Sequence, residues 1–212
     1  MSRLTENLEN ISEQIRLELM AQDTAREKAM PLSREVIRLA GRTIRAVHRH
    51  EYDTARKTLS EAKSMLTDAK KSLNSCAELP NTHFVWDAEK EFAEANITLS
   101  LVLGEQIPSP EELEVDNAAY LNGMAEGASE LRRFLLDSLR KGDYSRGEEL
   151  LSDMDDIYNV LVTMDFPDSL TGGLRRTTDA LRGVLEKTRS DLTLSAQQKR
   201  LEDKLGLLNQ AQ

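Results

Sequence analysis

The chain has 212 residues, of which 31% are charged and only 4% aromatic, and its formal net charge is −9. This composition, with few glycines and prolines, is typical of long helices and argues against a β-sheet protein. The acidic balance excludes a uniformly basic nucleic-acid binder. It leaves room for a local basic surface, because a net charge averages over patches.

The cysteine content and the hydropathy point to the cytoplasm. The single cysteine, Cys76, excludes an internal disulfide framework and suits a reducing compartment. No apolar run approaches the roughly 20 residues that cross a bilayer, and the segment MSRLTENLENISEQ lacks the apolar core of a signal peptide. We expect one cytoplasmic domain over residues 1–212, with a helical extension at 1–25, a helical or polar tail at 193–212, and no membrane association.

Six helical segments are predicted, because apolar residues recur with helical spacing and few positions interrupt them. The segment ELPN breaks the pattern between the second and third helices, and Gly172-Gly173 weakens it near the start of the last one. In chain order the helices are Ile11 to about Arg49, Thr54 to about Cys76, Thr82–Leu103, about Asp116–Arg140, Ser145 to about Met164, and Asp168 to beyond Ser190.

Several residues mark where these helices bend, begin or end. Pro31 predicts a kink or restart in the first helix, since proline removes a backbone hydrogen bond. Asp53 is predicted to cap the second helix, and Gly104 to follow the end of the third. Ser145 and Glu148 have the S-x-x-E spacing of a capping box, which predicts a helix start.

Two pairs of glutamates stand out against this helical pattern. Glu91 and Glu94 are three residues apart, and Glu126 and Glu130 are four apart, so each pair lies on one face of its helix. Each pair borders a stripe of apolar or small residues that is predicted to face the core. The stripes are Phe92, Ala95, Leu99 and Val102 in one helix, and Tyr120, Met124 (or Gly123), Gly127, Leu131 and Phe134 in the other. If the two faces meet, four carboxylates converge.

Four converging carboxylates need a cation or shared protons, because like charges repel at short range. The three histidines do not form the Glu-x-x-His pairs of a di-iron bundle. Ligation by oxygen alone favours a hard ion, Mg²⁺ or Mn²⁺, which supports phosphodiester chemistry. The alternative interpretation is that these glutamates are solvated residues on the surface of their helices.

A row of arginines follows one face of the first helix. Its members are spaced three or four residues apart, with no compensating glutamate four residues on from each. They are Arg34, Arg38, Arg42, Arg45 and Arg49. Guanidinium forks match phosphate oxygens, so one interpretation is binding of a nucleic-acid backbone. The other is a helix that forms salt bridges with the acidic segment 105–116. No zinc pattern, Gly-rich phosphate loop or RNA-recognition aromatic motif is present.

Three segments resemble the translin family. AYLNGMAEGASELRRFLLDSLRKGDYSR resembles it in the ASEL segment and in the SLRKGDYSR turn, and SREVIRLAGRTIRAVHR resembles its first long helix. KEFAEA resembles the QEYVEA block of translin-associated factor X, the catalytic branch. The resemblance runs in order from about residue 26 to 192 and is closest to that branch, in the form of an archaeal-type homologue with a single kind of subunit.

The resemblance implies an all-α fold of about seven mostly long helices that assembles into a hollow homo-oligomer, a hexamer or octamer. It implies RNA as the partner, single-stranded or partly duplex, and extends to single-stranded DNA. In the factor X branch four acidic residues bind metal and support endoribonuclease activity; they map onto Glu91, Glu94, Glu126 and Glu130. Glu126 is a departure, since that branch has aspartate there and glutamate reaches about one methylene further.

The leading hypothesis is therefore a metal-dependent endoribonuclease in which the four glutamates hold Mg²⁺ or Mn²⁺ and the arginine row positions RNA. The alternative is a non-catalytic translin-like oligomer that binds single-stranded nucleic acid. A third interpretation is a helical scaffold that uses the acidic pairs only for salt bridges.

Overall fold

In a computed structural model, which describes residues 3–73 and 83–210, the chain forms helices joined by short turns. There is no strand in the described residues, so the predicted all-α fold is confirmed. The helices are α1 (Arg3–His48), α2 (Tyr52–Leu73), α3 (His83–Leu103), α4 (Pro110–Leu113), α5 (Asn117–Arg140), α6 (Gly147–Val162), α7 (Asp168–Thr171) and α8 (Leu174–Gln210).

The core lies between two groups of helices, which are joined where α3 of one packs against α5 of the other. The second half of α1 packs against α2 and α3 on one side, and α5 packs against α6 and α8 on the other. Both predicted apolar stripes, on α3 and on α5, are buried. Their burial places the faces that carry the paired glutamates at the junction between α3 and α5.

Some helix ends agree with the sequence signals. Gly104 follows α3 with a left-handed φ of 68°, as predicted for the residue after a helix end. Pro31 lies inside α1 and does not end it. Pro31 is exposed, and so is Glu27, the residue whose carbonyl loses its helical backbone partner. Cys76 and the ELPN break lie outside the described residues.

Other helix ends correct the predictions. Asp53 is not a cap, because α2 begins at Tyr52. The Ser145–Glu148 capping box is also wrong: α6 begins at Gly147 without a side-chain cap. The Ser145 hydroxyl instead donates to the carboxylate of Asp143 at 2.7 Å. The capping box that does form is Ser109–Glu112, at the start of α4.

The last predicted helix is divided. Gly172 and Gly173 have φ of 60° and 83°, and they separate α7 from α8. A Cβ at Gly172 would lie 2.6 Å from the Trp86 ring, so this turn also requires a residue without a side chain. Beyond the turn, α8 continues past Ser190 to Gln210, through most of the segment that was predicted as a helical or polar tail.

Two helical segments leave apolar side chains exposed. One is the first part of α1 and the other is the last part of α8. Large exposed side chains there are Leu4, Leu8, Ile11 and Ile15, together with Leu201, Leu205, Leu207 and Leu208. Within the described residues, none of the helices is both long enough and apolar enough to cross a membrane.

Candidate metal centre

The site begins with an unusually close approach between α3 and α5. A Cβ at Gly123 of α5 would lie 2.6 Å from the carbonyl oxygen of Lys90 on α3. A Cβ at Gly127 would lie 3.2 Å from the carbonyl oxygen of Glu94. Glycine at these two positions therefore lets the helix backbones touch. Because the helices are so close, the side chains of glutamates that border this contact on α3 lie near those on α5.

Three of the four predicted glutamates meet there. One carboxylate oxygen from each of Glu91, Glu94 and Glu126 lies within 4.8 Å of the others. Glu94 is buried, with 8% of its surface exposed, while Glu91 and Glu126 are half-buried and open towards solvent. The site is thus a carboxylate cluster with a buried floor and an accessible rim.

The fourth glutamate has a different partner. Glu130 lies one turn after Glu126 on α5, and its Oε2 accepts a hydrogen bond from Nε2 of His48 at 2.7 Å. His48 comes from the end of α1, and its side chain is only 4% exposed. Of the four predicted carboxylates, the structure thus brings three within 4.8 Å of one another, and His48 holds Glu130 beside them.

A lysine that the sequence analysis did not single out enters the cluster. Lys90 precedes Glu91 on α3, and its Nζ donates to both carboxylate oxygens of Glu126, at 2.8 and 2.7 Å. The same Nζ lies 3.5 Å from Glu91. Burial acts to lower the pKa of Lys90, but the hydrogen bond to Glu126 and the surrounding carboxylates outweigh it and raise the pKa overall.

The crowding of the carboxylates changes their protonation. Burial, followed by the charges of Glu91, Glu126 and Glu130, raises the pKa of Glu94 to about 8. Burial also raises the pKa of Glu91, against the lowering effect of Lys90 and with a further increase from Glu126. Without metal at pH 7, Glu94 is therefore mostly protonated, and the cluster carries less negative charge than its composition suggests.

The donor set fits a hard divalent ion. Carboxylate oxygens are the ligands that Mg²⁺ and Mn²⁺ prefer, with bonds of about 2.0–2.6 Å for ions of this class. Oxygens already within 4.8 Å of one another need only small side-chain rotations to reach one such ion. No Lys, Arg or His nitrogen of the described residues lies within 4.0 Å of the Glu94 carboxylate, so the deepest oxygen donor has no ion-pair partner of its own.

The arginine row is exposed on α1, on the face away from the core. Arg38 pairs with Glu35 of its own helix. The other four, Arg34, Arg42, Arg45 and Arg49, form no salt bridge with any described residue. The acidic segment 105–116 has other partners, since Glu105 pairs with Arg56 and Glu114 with Lys63. The interpretation of the row as partner of that segment is therefore wrong, and binding of a nucleic-acid backbone stays a prediction.

The sequence and the fold of this chain were compared with those of known proteins. No family model matches the chain. It is 30% identical over 190 residues to the uncharacterized protein MJ0175 of Methanocaldococcus jannaschii, covering 88% of this chain and 83% of that protein. It is similar to AfC3PO, solved in complex with duplex RNA, at 32% identity and a TM-score of 0.76, covering 87% of this chain and 95% of AfC3PO.

The chain belongs to the translin family. A second C3PO structure, apo-NeC3PO, shares the fold with a TM-score of 0.74 and 22% identity over 92% of this chain and 98% of that one. The family membership predicted from the ASEL, SLRKGDYSR and KEFAEA segments is thus confirmed.

Proposed function

We propose that this protein assembles into a homo-oligomer, binds RNA, and cleaves it with a divalent ion held by Glu91, Glu94 and Glu126. The observation that carries the proposal is the meeting of three carboxylates from α3 and α5 within 4.8 Å, with a buried member that has no ion-pair partner among the described residues. The similarity to AfC3PO, whose structure includes duplex RNA, supports RNA as the ligand.

The residues of the site are proposed to have two different roles, binding of the ion and positioning of a neighbouring carboxylate. Glu91 and Glu94 would hold the ion from α3 and Glu126 from α5, while His48 fixes the carboxylate of Glu130 beside them. When bound, Mg²⁺ or Mn²⁺ acidifies water and offsets the negative charge that develops during phosphodiester hydrolysis.

The exposed arginines of α1 are proposed to hold the RNA backbone. Arg45 precedes His48 by one helical turn on α1, and His48 contacts Glu130, so RNA bound along the row would extend towards the acidic site. Arginine contacts to phosphate give binding without sequence selection. We propose that the substrate is single-stranded or partly duplex RNA and that single-stranded DNA also binds.

The oligomer is proposed to be a hexamer or octamer. Apolar side chains exposed on the first part of α1 and the last part of α8 are the surfaces that assembly would cover. Light scattering at micromolar concentration should report a particle larger than a dimer. A monomer would contradict the proposed assembly.

A nuclease assay tests the catalytic part of the proposal. Single-stranded and duplex RNA are incubated with the parent protein in Mg²⁺ or in chelator, and with Glu126→Gln and Glu91→Gln. We expect cleavage only with metal, a loss in both variants, and retained RNA binding, because glutamine keeps the side-chain volume but not the charge. Glu61→Gln, an exposed glutamate on α2, is the matched control and should cleave as the parent does.

A second candidate function is a non-catalytic oligomer that binds single-stranded nucleic acid. The observation in its favour is that two of the four predicted glutamates already have partners: Glu126 pairs with Lys90, and Glu130 with His48. Salt-sensitive RNA binding without cleavage in any divalent ion would select this candidate. Absence of both binding and cleavage would leave only a structural role for the pairs.

A further inference from the structure

We propose that Lys90 is a tethered cation that occupies the carboxylate cluster in the metal-free protein and must leave it before a divalent ion binds. The inference rests on the proposed metal site and concerns how that site is controlled. Its physical basis is the position of the Lys90 ammonium group between α3 and α5, where it contacts carboxylates from both helices.

The contacts of Lys90 are part of those that an ion would make. Its Nζ lies 2.8 and 2.7 Å from the two oxygens of Glu126 and 3.5 Å from Glu91, which are two of the three clustered glutamates. The side chain is only 18% exposed, so it packs against the cluster instead of extending into solvent.

The ammonium and a divalent ion exclude each other at this position. Both need the lone pairs of Glu126, and two positive charges a few ångströms apart repel strongly at the rim of a protein. Lys90 has a flexible four-carbon stem, so it can move out without a change in the backbone of α3. Metal entry is therefore an exchange of one cation for another, and the apparent affinity for metal is lower than the three carboxylates alone would give.

Binding of Mn²⁺, measured by electron paramagnetic resonance of the free ion, tests this directly. Lys90→Gln removes the charge and keeps most of the length, and Lys90→Arg keeps the charge. We expect Mn²⁺ to bind Lys90→Gln at least tenfold more tightly than the parent, with Lys90→Arg close to the parent. Lys63→Gln removes a lysine that pairs with Glu114 away from the cluster, and this control should not change the affinity.

Equal affinities of the parent and Lys90→Gln would overturn the role of Lys90 and leave the metal site in place. Weaker binding by Lys90→Gln would also overturn it, because Lys90 would then be holding the glutamates in position for the ion. If no variant binds Mn²⁺, both the metal site and the role of Lys90 are refuted. Binding by Lys90→Gln where the parent shows none would support both.

A second readout uses the parent protein alone, so that it does not depend on the folding of a variant. Acylation of lysines by an amine-reactive reagent is followed by mass spectrometry, in chelator and in saturating Mn²⁺. We expect Lys90 to react several-fold faster with Mn²⁺ present, because the ion displaces the ammonium into solvent, while Lys63 reacts at the same rate in both. An unchanged or slower reaction of Lys90 would overturn the exchange.

Discussion

Replacing Glu94 with glutamine should make the metal-free protein more stable at neutral pH. The pKa of this carboxyl rises from its ordinary 4.5 to about 8 in the folded chain, first because the group is buried and second because Glu91, Glu126 and Glu130 are close. Between those two pH values the folded state binds more protons than the unfolded state. The contribution of Glu94 to the stability of the parent is therefore fully present below pH 4.5 and is lost progressively as the pH rises from 4.5 to about 8.

The size of the effect follows from the pKa. A rise from 4.5 to about 8 corresponds to a loss of about 5 kcal/mol once the group is ionised, and about 3 kcal/mol of this is already lost at pH 7. Glutamine does not titrate, so Glu94→Gln avoids the loss. At about 2–4 °C per kcal/mol for a chain of this size, the melting temperature should rise by about 6–12 °C at pH 7.

Thermal unfolding in chelator, followed by circular dichroism at pH 4.5 and pH 7, measures this gain. We expect it at pH 7 and expect it nearly absent at pH 4.5. Glu61→Gln, on the exposed face of α2, should gain nothing at either pH. A Glu94→Gln variant no more stable than the parent at pH 7, or equally stabilised at both pH values, would refute the crowded, protonated cluster.

Three further predictions follow from the site. The affinity for Mg²⁺ should rise by up to about tenfold per unit between pH 6 and 8, since Glu94 must lose its proton to bind; a flat profile by calorimetry would contradict this. Arg42→Glu with Arg45→Glu should weaken RNA binding and flatten its salt dependence, with a slope smaller by about 2 in a filter-binding titration; an unchanged slope would exclude these arginines from the RNA surface. Gly123→Ala should cost about 1–3 kcal/mol in thermal unfolding and weaken Mn²⁺ binding, because its Cβ would meet the backbone of α3, whereas Gly183→Ala, whose Cβ meets nothing within 4 Å, should be neutral or stabilising.

The helical spacing of apolar residues predicted those features of the fold that depend on local sequence, namely the helices and their buried faces. The stripes on α3 and α5 follow from helical spacing, and both are buried. The same spacing placed Glu91, Glu94 and Glu126 beside those stripes, and close packing at Gly123 and Gly127 brought the three together. When the apolar stripes of two neighbouring helices pack against each other, the residues that flank the stripes, here the glutamates, are brought close together.

Side-chain contacts between segments far apart in the chain could not be predicted from the sequence. His48 lies 82 residues before Glu130, and no local pattern relates them. Lys90 is adjacent to Glu91, yet its direction towards Glu126 depends on how α5 packs. The start of α6 was predicted wrongly for a different reason: the Ser145 hydroxyl donates to Asp143, and α6 begins two residues later, at Gly147. Local competition of this kind is decided by backbone geometry, which the S-x-x-E spacing does not specify.

The central claim is that Glu91, Glu94 and Glu126 hold a divalent ion. Anomalous diffraction at the manganese edge, from crystals grown or soaked in Mn²⁺, tests it most directly. The account predicts an anomalous peak between α3 and α5, within about 2.0–2.6 Å of oxygens from these three side chains, with Lys90 turned away from Glu126. Crystals that bind Mn²⁺ elsewhere, or that show no peak here while Lys90 still contacts Glu126, would contradict it.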